Sequence, residues 1–102
     1  MDTLERVSYQ LKAGVNLEEF VKANEAISNW AKTQPGFQYR SLSQQEDGSW
    51  LDLVFWQSKE QAEAAMAKSQ QEPLFGSFME YVQEGTIDMG HNKIHLSAMA
   101  EE

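Results

Sequence analysis

The segment from Ser49 to Gln57 constrains the fold more than any other part of the chain, because it predicts a strand that is apolar on both faces. Successive side chains of a strand point to opposite faces of its sheet. One face carries Leu51, Leu53 and Phe55, and the other carries Trp50, Val54 and Trp56. A strand with one face in water alternates apolar and polar residues, so this strand needs cover on both faces. A chain of 102 residues is too short to supply two covering layers, and a second copy of the chain is the simplest source of the missing one.

Capping and turn signals divide the rest of the chain into helices and strands. Asn16, with Glu19 three residues later, is typical of a helix start, and Ser58 has the same relation to Gln61. The dipeptide Asp47-Gly48 predicts a tight turn between two strands. The predicted elements are strand 1 from Leu4 to Lys12, helix 1 to about Lys32, strand 2 from Phe37 to Gln45, strand 3 from Ser49 to Gln57, helix 2 over about 59–70, a short helix after Pro73, and strand 4 within Tyr81 to Leu96.

This order of strands and helices predicts one α+β domain over residues 1–102, with the ferredoxin-like βαββαβ topology. The antiparallel four-stranded sheet would carry both main helices on one face, because the crossover connections are right-handed. We expect the other face to expose Trp50, Val54 and Trp56, with Phe37 or Tyr39 beside them according to the register of the hairpin. A monomer rarely leaves such a patch in water, so the expected assembly is a symmetric homodimer, a dimeric α+β barrel with its two sheets face to face.

Charge and composition exclude several classes of function. The formal net charge is −8, from 8 Lys and Arg against 16 Asp and Glu, which disfavours binding to nucleic acid and to anionic membranes. The absence of cysteine excludes disulfides, thiolate metal sites and a cysteine nucleophile, and it fits a cytoplasmic location. The N-terminus has no apolar run of signal-peptide length, and no stretch approaches membrane-spanning length, so we expect neither a signal peptide nor a membrane span. The chain has no phosphate loop and no metal-ligand spacing, so no metal site and no cofactor are predicted.

Residues 35–62 resemble the antibiotic biosynthesis monooxygenase-like domains of the dimeric α+β barrel superfamily. The resemblance rests on Pro35-Gly36-Phe37, on the Asp47-Gly48 hairpin and on the run from Phe55 to Ala62, while the order of elements agrees over nearly the whole chain. It implies the same fold and dimer. The activities it implies are those of this superfamily, which include cofactor-independent oxygenation of polycyclic aromatic phenols or quinols and the degradation of haem.

The chain departs from the catalytic patterns of both branches. Haem-degrading members carry an iron-ligating histidine after helix 2, whereas residues 75–79 of this chain contain none, which disfavours haem degradation. Quinol-oxidising members carry an Asn and a Trp one turn apart near helix 2, followed by a Tyr. Helix 2 of this chain offers Glu60, Glu63 and Met66 instead, so no catalytic set carries over residue by residue.

Two polar residues in apolar surroundings are the candidate catalytic residues. Asn24 lies within the apolar stripe of helix 1, where an unbonded amide would cost about 1–3 kcal/mol. It would either contact a ligand between helix and sheet or bond to water or a backbone group. His91 would share a strand face with Ile87 and Met89 and could act as a base near neutral pH, or it could be a surface residue at a strand end. His95 is placed on the same strand.

Three further residues are candidate contacts for a substrate. Asp52 is an acid among apolar neighbours: paired with Arg40 it would be structural, and unpaired it would have a raised pKa and a catalytic role. Trp56 and Tyr39 could stack on an aromatic ligand, or they could pack the core and the dimer interface.

Two functions follow from these observations. The first is a cofactor-free, monooxygenase-like enzyme acting on a small aromatic or quinol-type substrate held between the helices and the sheet. The alternative is a non-catalytic dimeric module for ligand binding or interaction, whose pocket has closed. An open cavity in this position, with Asn24 unsatisfied by protein atoms, would favour the enzyme.

Overall fold

The computed structural model describes residues 2–100 and has the predicted order of elements. The strands are β1 (Thr3–Tyr9), β2 (Phe37–Gln44), β3 (Trp50–Trp56) and β4 (Asp88–Lys93), and the helices are α1 (Leu17–Ala31), α2 (Lys59–Ser69) and α3 (Pro73–Met79). The four strands form one antiparallel sheet in the order β2-β3-β1-β4. The α+β ferredoxin-like prediction is therefore confirmed. Within residues 2–100, no helix has the length and apolar character needed to cross a membrane.

The helix starts are fixed by the side chains that the sequence indicated. The Asn16 side-chain oxygen accepts a hydrogen bond from the Glu19 backbone N–H at 3.1 Å, and Ser58 Oγ accepts one from the Gln61 N–H at 3.2 Å. Each bond satisfies one of the free N–H groups in a first helical turn. These two local signals thus place α1 and α2 correctly along the chain.

Gly36 forms the tight entry into β2. Its φ is +85°, a conformation that a side chain rarely adopts, and a Cβ built on it would overlap the Gln61 side chain. Its carbonyl accepts a hydrogen bond from the Gln57 N–H at 2.8 Å. Only glycine meets both requirements without strain, because it has no Cβ.

The cross-strand register decides which side chains lie beneath the helices. Thr3 and Tyr9 of β1 pair with Trp56 and Trp50 of β3, so the side chains at these positions share one face. Two clusters of buried residues pack between this face and the helices. They are Tyr9, Phe20, Ile27, Phe78 and Val82, and Val54, Trp56, Ala62 and Ala65.

The expectation that Trp50, Val54 and Trp56 lie on the bare face is wrong. They lie under the helices, where Trp56 is 3% exposed in a single chain. The side chains on the other face of β3, Leu51, Leu53 and Phe55, point away from the helices and are half-buried. The small alanines Ala62 and Ala65 of α2 leave room for the Trp56 indole ring, and Trp50 packs against Phe20 of α1.

The predicted placement on strand 4 is confirmed for His91 and wrong for His95. His91 lies within β4, opposite Glu5 of β1, whereas His95 lies beyond the end of the strand and is exposed. After Lys93 the chain makes one further backbone bond, from the Ile94 N–H to the Asp2 carbonyl, before it leaves the sheet. His95 therefore has no strand neighbour to hold it over the sheet.

Candidate functional site

A cavity of about 590 Å³ lies between the sheet and the three helices. Its floor includes Glu5, Val7 and Tyr9 of β1 and Asp52, Val54 and Trp56 of β3. Its roof is mostly apolar and includes Ile27, Trp30, Met66, Phe75, Phe78 and Met79. A cavity of this size, with mostly apolar walls and a few polar groups at one side, is typical of sites for small organic ligands.

Arg40 and Asp52 form a buried ion pair in the cavity wall. Nε and Nη2 of Arg40 donate to the two carboxylate oxygens of Asp52 at 3.1 and 2.6 Å. Nη1 donates to the Asn24 carbonyl and to Ser28 Oγ, and Nη2 also donates to Asn24 Oδ1 at 2.7 Å. All five guanidinium N–H groups are thus used, which confirms the paired interpretation of Asp52.

Asn24 is buried but does not line the cavity. Its amide nitrogen donates to the Phe20 carbonyl at 2.9 Å, and its amide oxygen accepts from Arg40. Asn24 therefore holds the arginine rather than presenting a free amide to a ligand. Its catalytic role stays a prediction, and these bonds favour a role in which Asn24 acts through Arg40 and does not touch the substrate.

Glu5 and His91 form a second polar pair, at the edge of the cavity floor. Glu5 Oε1 and His91 Nε2 lie 3.5 Å apart, within ion-pair distance, and their side chains are only 14% and 17% exposed. Burial raises the pKa of Glu5, and the nearby carboxylate of Asp52 raises it further. His91 opposes the shift, and the Trp56 indole also lowers the pKa, but the net direction is upward. Glu5 lines the cavity, and His91 stands behind it on β4.

Three buried polar atoms at the floor or its edge have no hydrogen-bond partner among residues 2–100. One is His91 Nε2, whose contact with Glu5 is an ion-pair distance and not a hydrogen bond. The others are the Tyr9 hydroxyl and the Trp56 indole N–H, both on residues that are 3% exposed. Burial raises the pKa of the Tyr9 phenol well above its ordinary value, so this hydroxyl is neutral. Unpaired buried polar groups are rare in folded proteins, and at a cavity wall they are available to a ligand.

Tyr39 does not wall this cavity, and the expectation that it would is wrong. The register of β2 against β3 shifts between Phe37 and Tyr39, so Phe37 pairs with Trp56 and Tyr39 pairs with Phe55. The irregularity places the two aromatic rings on opposite faces of the sheet. Phe37 packs edge-on against Trp56 beneath the helices, and Tyr39 is 54% exposed beside Phe55.

Sequence reasoning did not single out Glu5, although a signal was present. Glu5 shares a face of strand 1 with Val7 and Tyr9, and an acid within an apolar strand face is unusual enough to predict a buried carboxyl. Its pairing with His91 could not have been predicted, because it depends on the long-range register between β1 and β4.

No protein-family model and no curated protein sequence matches this chain. Its fold, however, is shared by many solved structures. A mutant form of SnoaB from Streptomyces nogalater, described as a cofactor-independent oxygenase, aligns over 94% of this chain and 95% of its own with a TM-score of 0.78 and 15% identity. The ActVA-Orf6 monooxygenase of Streptomyces coelicolor, solved with nanaomycin D, gives a TM-score of 0.75 at 13% identity over 98% of this chain and 93% of its own.

A third structure, a dimeric ferredoxin-like protein from an uncultured marine organism, aligns over 98% of this chain and 93% of its own, with a TM-score of 0.71 and 13% identity. At such identities the likeness establishes the fold. The chain has the ferredoxin-like α+β fold of the antibiotic biosynthesis monooxygenase-like proteins, as the resemblance of residues 35–62 predicted.

Proposed function

We propose that this protein is a cofactor-free monooxygenase that oxidises a small aromatic phenol or quinol within the cavity between its helices and sheet. The observation that carries this proposal is the cavity itself: about 590 Å³ of mostly apolar space with an unpaired phenol hydroxyl and an unpaired indole N–H at its floor. A planar hydroxylated ring would fill the space, stack on aromatic walls and bond to these groups.

The chemistry requires an ionisable substrate and O₂ as the oxidant. A phenol that loses its hydroxyl proton becomes electron-rich and can reduce O₂ directly at a ring carbon. One oxygen atom of O₂ then forms a new C–O bond and the other leaves as water, so that a phenol and O₂ give a quinone and water. The protein's part is to ionise the substrate, hold its ring and exclude bulk water.

The similar structures support this proposal. SnoaB is described as a cofactor-independent oxygenase, and ActVA-Orf6 is a monooxygenase that was solved with an organic ligand bound. The open cavity also disfavours the alternative, a non-catalytic module whose pocket has closed. An unsatisfied Asn24 would have favoured the enzyme further, but both polar atoms of its amide group bond within the protein.

The predicted site residues take different roles in this proposal. Trp56 provides a wall and an N–H donor at the floor, and His91 acts through Glu5. Asp52 does not meet the substrate as a free acid, because Arg40 occupies both of its oxygens. Asn24 is a positioning residue, since it fixes the guanidinium that holds Asp52.

Oxygen uptake tests the function. The purified protein is incubated with 1-naphthol or with the corresponding quinol, and dissolved O₂ and the quinone product are measured. Ser69 lines the cavity, so Ser69→Trp is expected to fill it and abolish uptake, whereas Ser77→Trp, at an exposed position of the next helix, serves as the matched control. The proposal fails if no hydroxyarene stimulates uptake in the wild type, or if Ser69→Trp consumes oxygen as fast as Ser77→Trp.

We also propose that the protein is a homodimer that buries the sheet face opposite the helices. Leu51, Leu53 and Phe55 lie on that face of β3, with Tyr39 beside them. Each large apolar side chain that becomes buried contributes about 1.5–3 kcal/mol. Several such side chains from each subunit exceed the roughly 4–15 kcal/mol that association costs. The dimeric ferredoxin-like protein of the same fold supports this assembly.

Sedimentation at micromolar concentration tests the assembly. The expected particle has twice the 11.6 kDa mass of one chain. Leu53→Lys, which places a charge at the centre of the proposed interface, is expected to give the single-chain mass, and Glu63→Lys, on the exposed side of α2, is expected to leave the dimer intact. A wild-type species of single-chain mass would refute the homodimer.

A further inference from the structure

We propose that Glu5 is the catalytic residue that accepts the hydroxyl proton of the aromatic ligand, and that His91 is the positioning residue that keeps Glu5 ready to accept it. This inference rests on the proposed function, because the ligand is the same hydroxyarene in the same cavity. It adds the residue pair that ionises that ligand. Glu5 and His91 lie on two adjacent strands, and they are distinct from the Arg40–Asp52 pair.

The geometry of the sheet holds the pair in place. Glu5 lies in the middle of β1, directly opposite Val54 of β3 on one side and His91 of β4 on the other. Directly opposite residues of antiparallel strands have their side chains on the same face, about 5 Å apart. The carboxyl therefore meets the cavity while the imidazole lies beside it on the next strand, at an ion-pair distance of 3.5 Å between Oε1 and Nε2 and without a hydrogen bond.

The surrounding charges leave Glu5 as the available base. The other acid at the cavity floor is Asp52, and both of its oxygens accept bonds from Arg40. The Tyr9 phenol on β1 is neutral. The three helices contribute no charged side chain to the cavity wall within the part of the chain that the structure describes. Glu5 thus faces the cavity with a histidine as its neighbour and no arginine to occupy it.

The proton transfer is balanced without any further reactant. The substrate O–H bond breaks, an O–H bond forms on the Glu5 carboxylate, and the electron pair stays on the substrate oxygen. The Trp56 indole lies near the Glu5 carboxyl, whose pKa it lowers, and its N–H makes no hydrogen bond among residues 2–100, so it can donate to that substrate oxygen. Burial raises the pKa of Glu5 toward that of its substrate, which makes the acceptor more effective once it is ionised. His91 lowers the pKa of Glu5 and so favours the ionised carboxylate that accepts the proton.

Ionisation of bound 1-naphthol in the absence of oxygen tests the proposal, because naphtholate absorbs at longer wavelength than naphthol. The wild type is expected to hold the probe as naphtholate at a pH where free 1-naphthol is neutral. Glu5→Gln is expected to abolish this signal and to lower aerobic uptake by about 10²–10⁴-fold. Glu63→Gln is the matched control at an exposed position.

His91→Gln and His95→Gln form the second matched pair, since they are the two histidines of the chain. His91→Gln is expected to move the acid limb of the ionisation profile to higher pH, because a neighbour that lowers the pKa of Glu5 is lost. His95→Gln is expected to leave the profile in place, as His95 is exposed and lies beyond β4. A merely structural role for His91 would weaken binding without moving the limb.

The outcomes separate this inference from the proposed function. If Ser69→Trp abolishes oxygen uptake but Glu5→Gln ionises the probe and consumes oxygen like the wild type, the inference is wrong and the function stands. If the wild type ionises the probe through Glu5 but consumes no oxygen with any hydroxyarene, the function is wrong and the proton acceptor stands. Binding of neutral naphthol alone by the wild type, or no binding, contradicts the inference.

Discussion

The ion pair between Arg40 and Asp52 permits a demanding test of how this core is held together. The guanidinium makes five hydrogen bonds, and the two side chains are only 5% and 14% exposed. The perturbation is a double-mutant cycle of Arg40→Met, Asp52→Leu and the two together. Leucine suits position 52, because the residues directly opposite it on the neighbouring strands are Val7 and Leu42.

The magnitudes follow from what each variant leaves behind. Either single substitution strands one buried charge without its partner, which costs about 3–5 kcal/mol of unfolding free energy. That is about a fifth or more of the total of a typical domain, which is about 5–15 kcal/mol. The double variant leaves no charge and gains apolar packing, so it is expected to cost no more than either single variant. The coupling energy between Arg40 and Asp52 is then about 3 kcal/mol or more.

Urea unfolding, followed by circular dichroism at one fixed protein concentration, measures all four free energies. The fixed concentration matters because a dimer's apparent stability depends on it. The control cycle is Lys59→Met with Glu63→Leu, two oppositely charged residues four positions apart on the exposed side of α2, for which the coupling is expected to stay below about 1 kcal/mol. Additivity within about 0.5 kcal/mol at Arg40 and Asp52 would refute the reasoning.

Three further predictions concern the cavity floor and the β2 entry. Tyr9→Phe removes a buried hydroxyl that has no hydrogen-bond partner among residues 2–100. We therefore expect the free energy of unfolding to stay the same or rise by up to about 1 kcal/mol, and 1-naphthol to bind more weakly. A clear loss of stability would mean that the hydroxyl is hydrogen-bonded after all. The folded protein retains the Glu5 proton above the ordinary pKa of 4.5, so the free energy of unfolding falls as the pH rises from 4.5 toward the raised pKa of Glu5. Melting curves of Glu5→Gln are expected to lack this fall. Parallel pH profiles of the variant and the wild type would contradict the prediction. Gly36→Ala is expected to lower the free energy of unfolding, measured by chemical denaturation, more than Gly14→Ala does. Both glycines have a positive φ, but only the new Cβ at position 36 meets a neighbour, Gln61. Equal losses of stability would exclude that contact.

The candidate site shows where sequence reasoning stops. Trp56 could be placed at a wall because strand alternation fixes its companions, and Asp52 could be paired with Arg40 because a hairpin brings neighbouring strands together. Tyr39 was misplaced because an irregularity in β2, which has no clear signature in the sequence, reverses its facing relative to Phe37. The partnership of Glu5 with His91 joins residues far apart in the chain and depends on register alone.

The sequence by itself determined the local features of this protein: its element order, the N-caps at Asn16 and Ser58, the turn at Gly48, and the division of β3 into two apolar faces. Those features depend on contacts within a few residues, and backbone geometry and periodicity predict them. Only the tertiary structure decided that Trp56 rather than Phe55 lies beneath the helices, and that Glu5 meets His91 beside a cavity. Sheet register and helix packing set these relations, and both arise from the summed fit of many distant side chains.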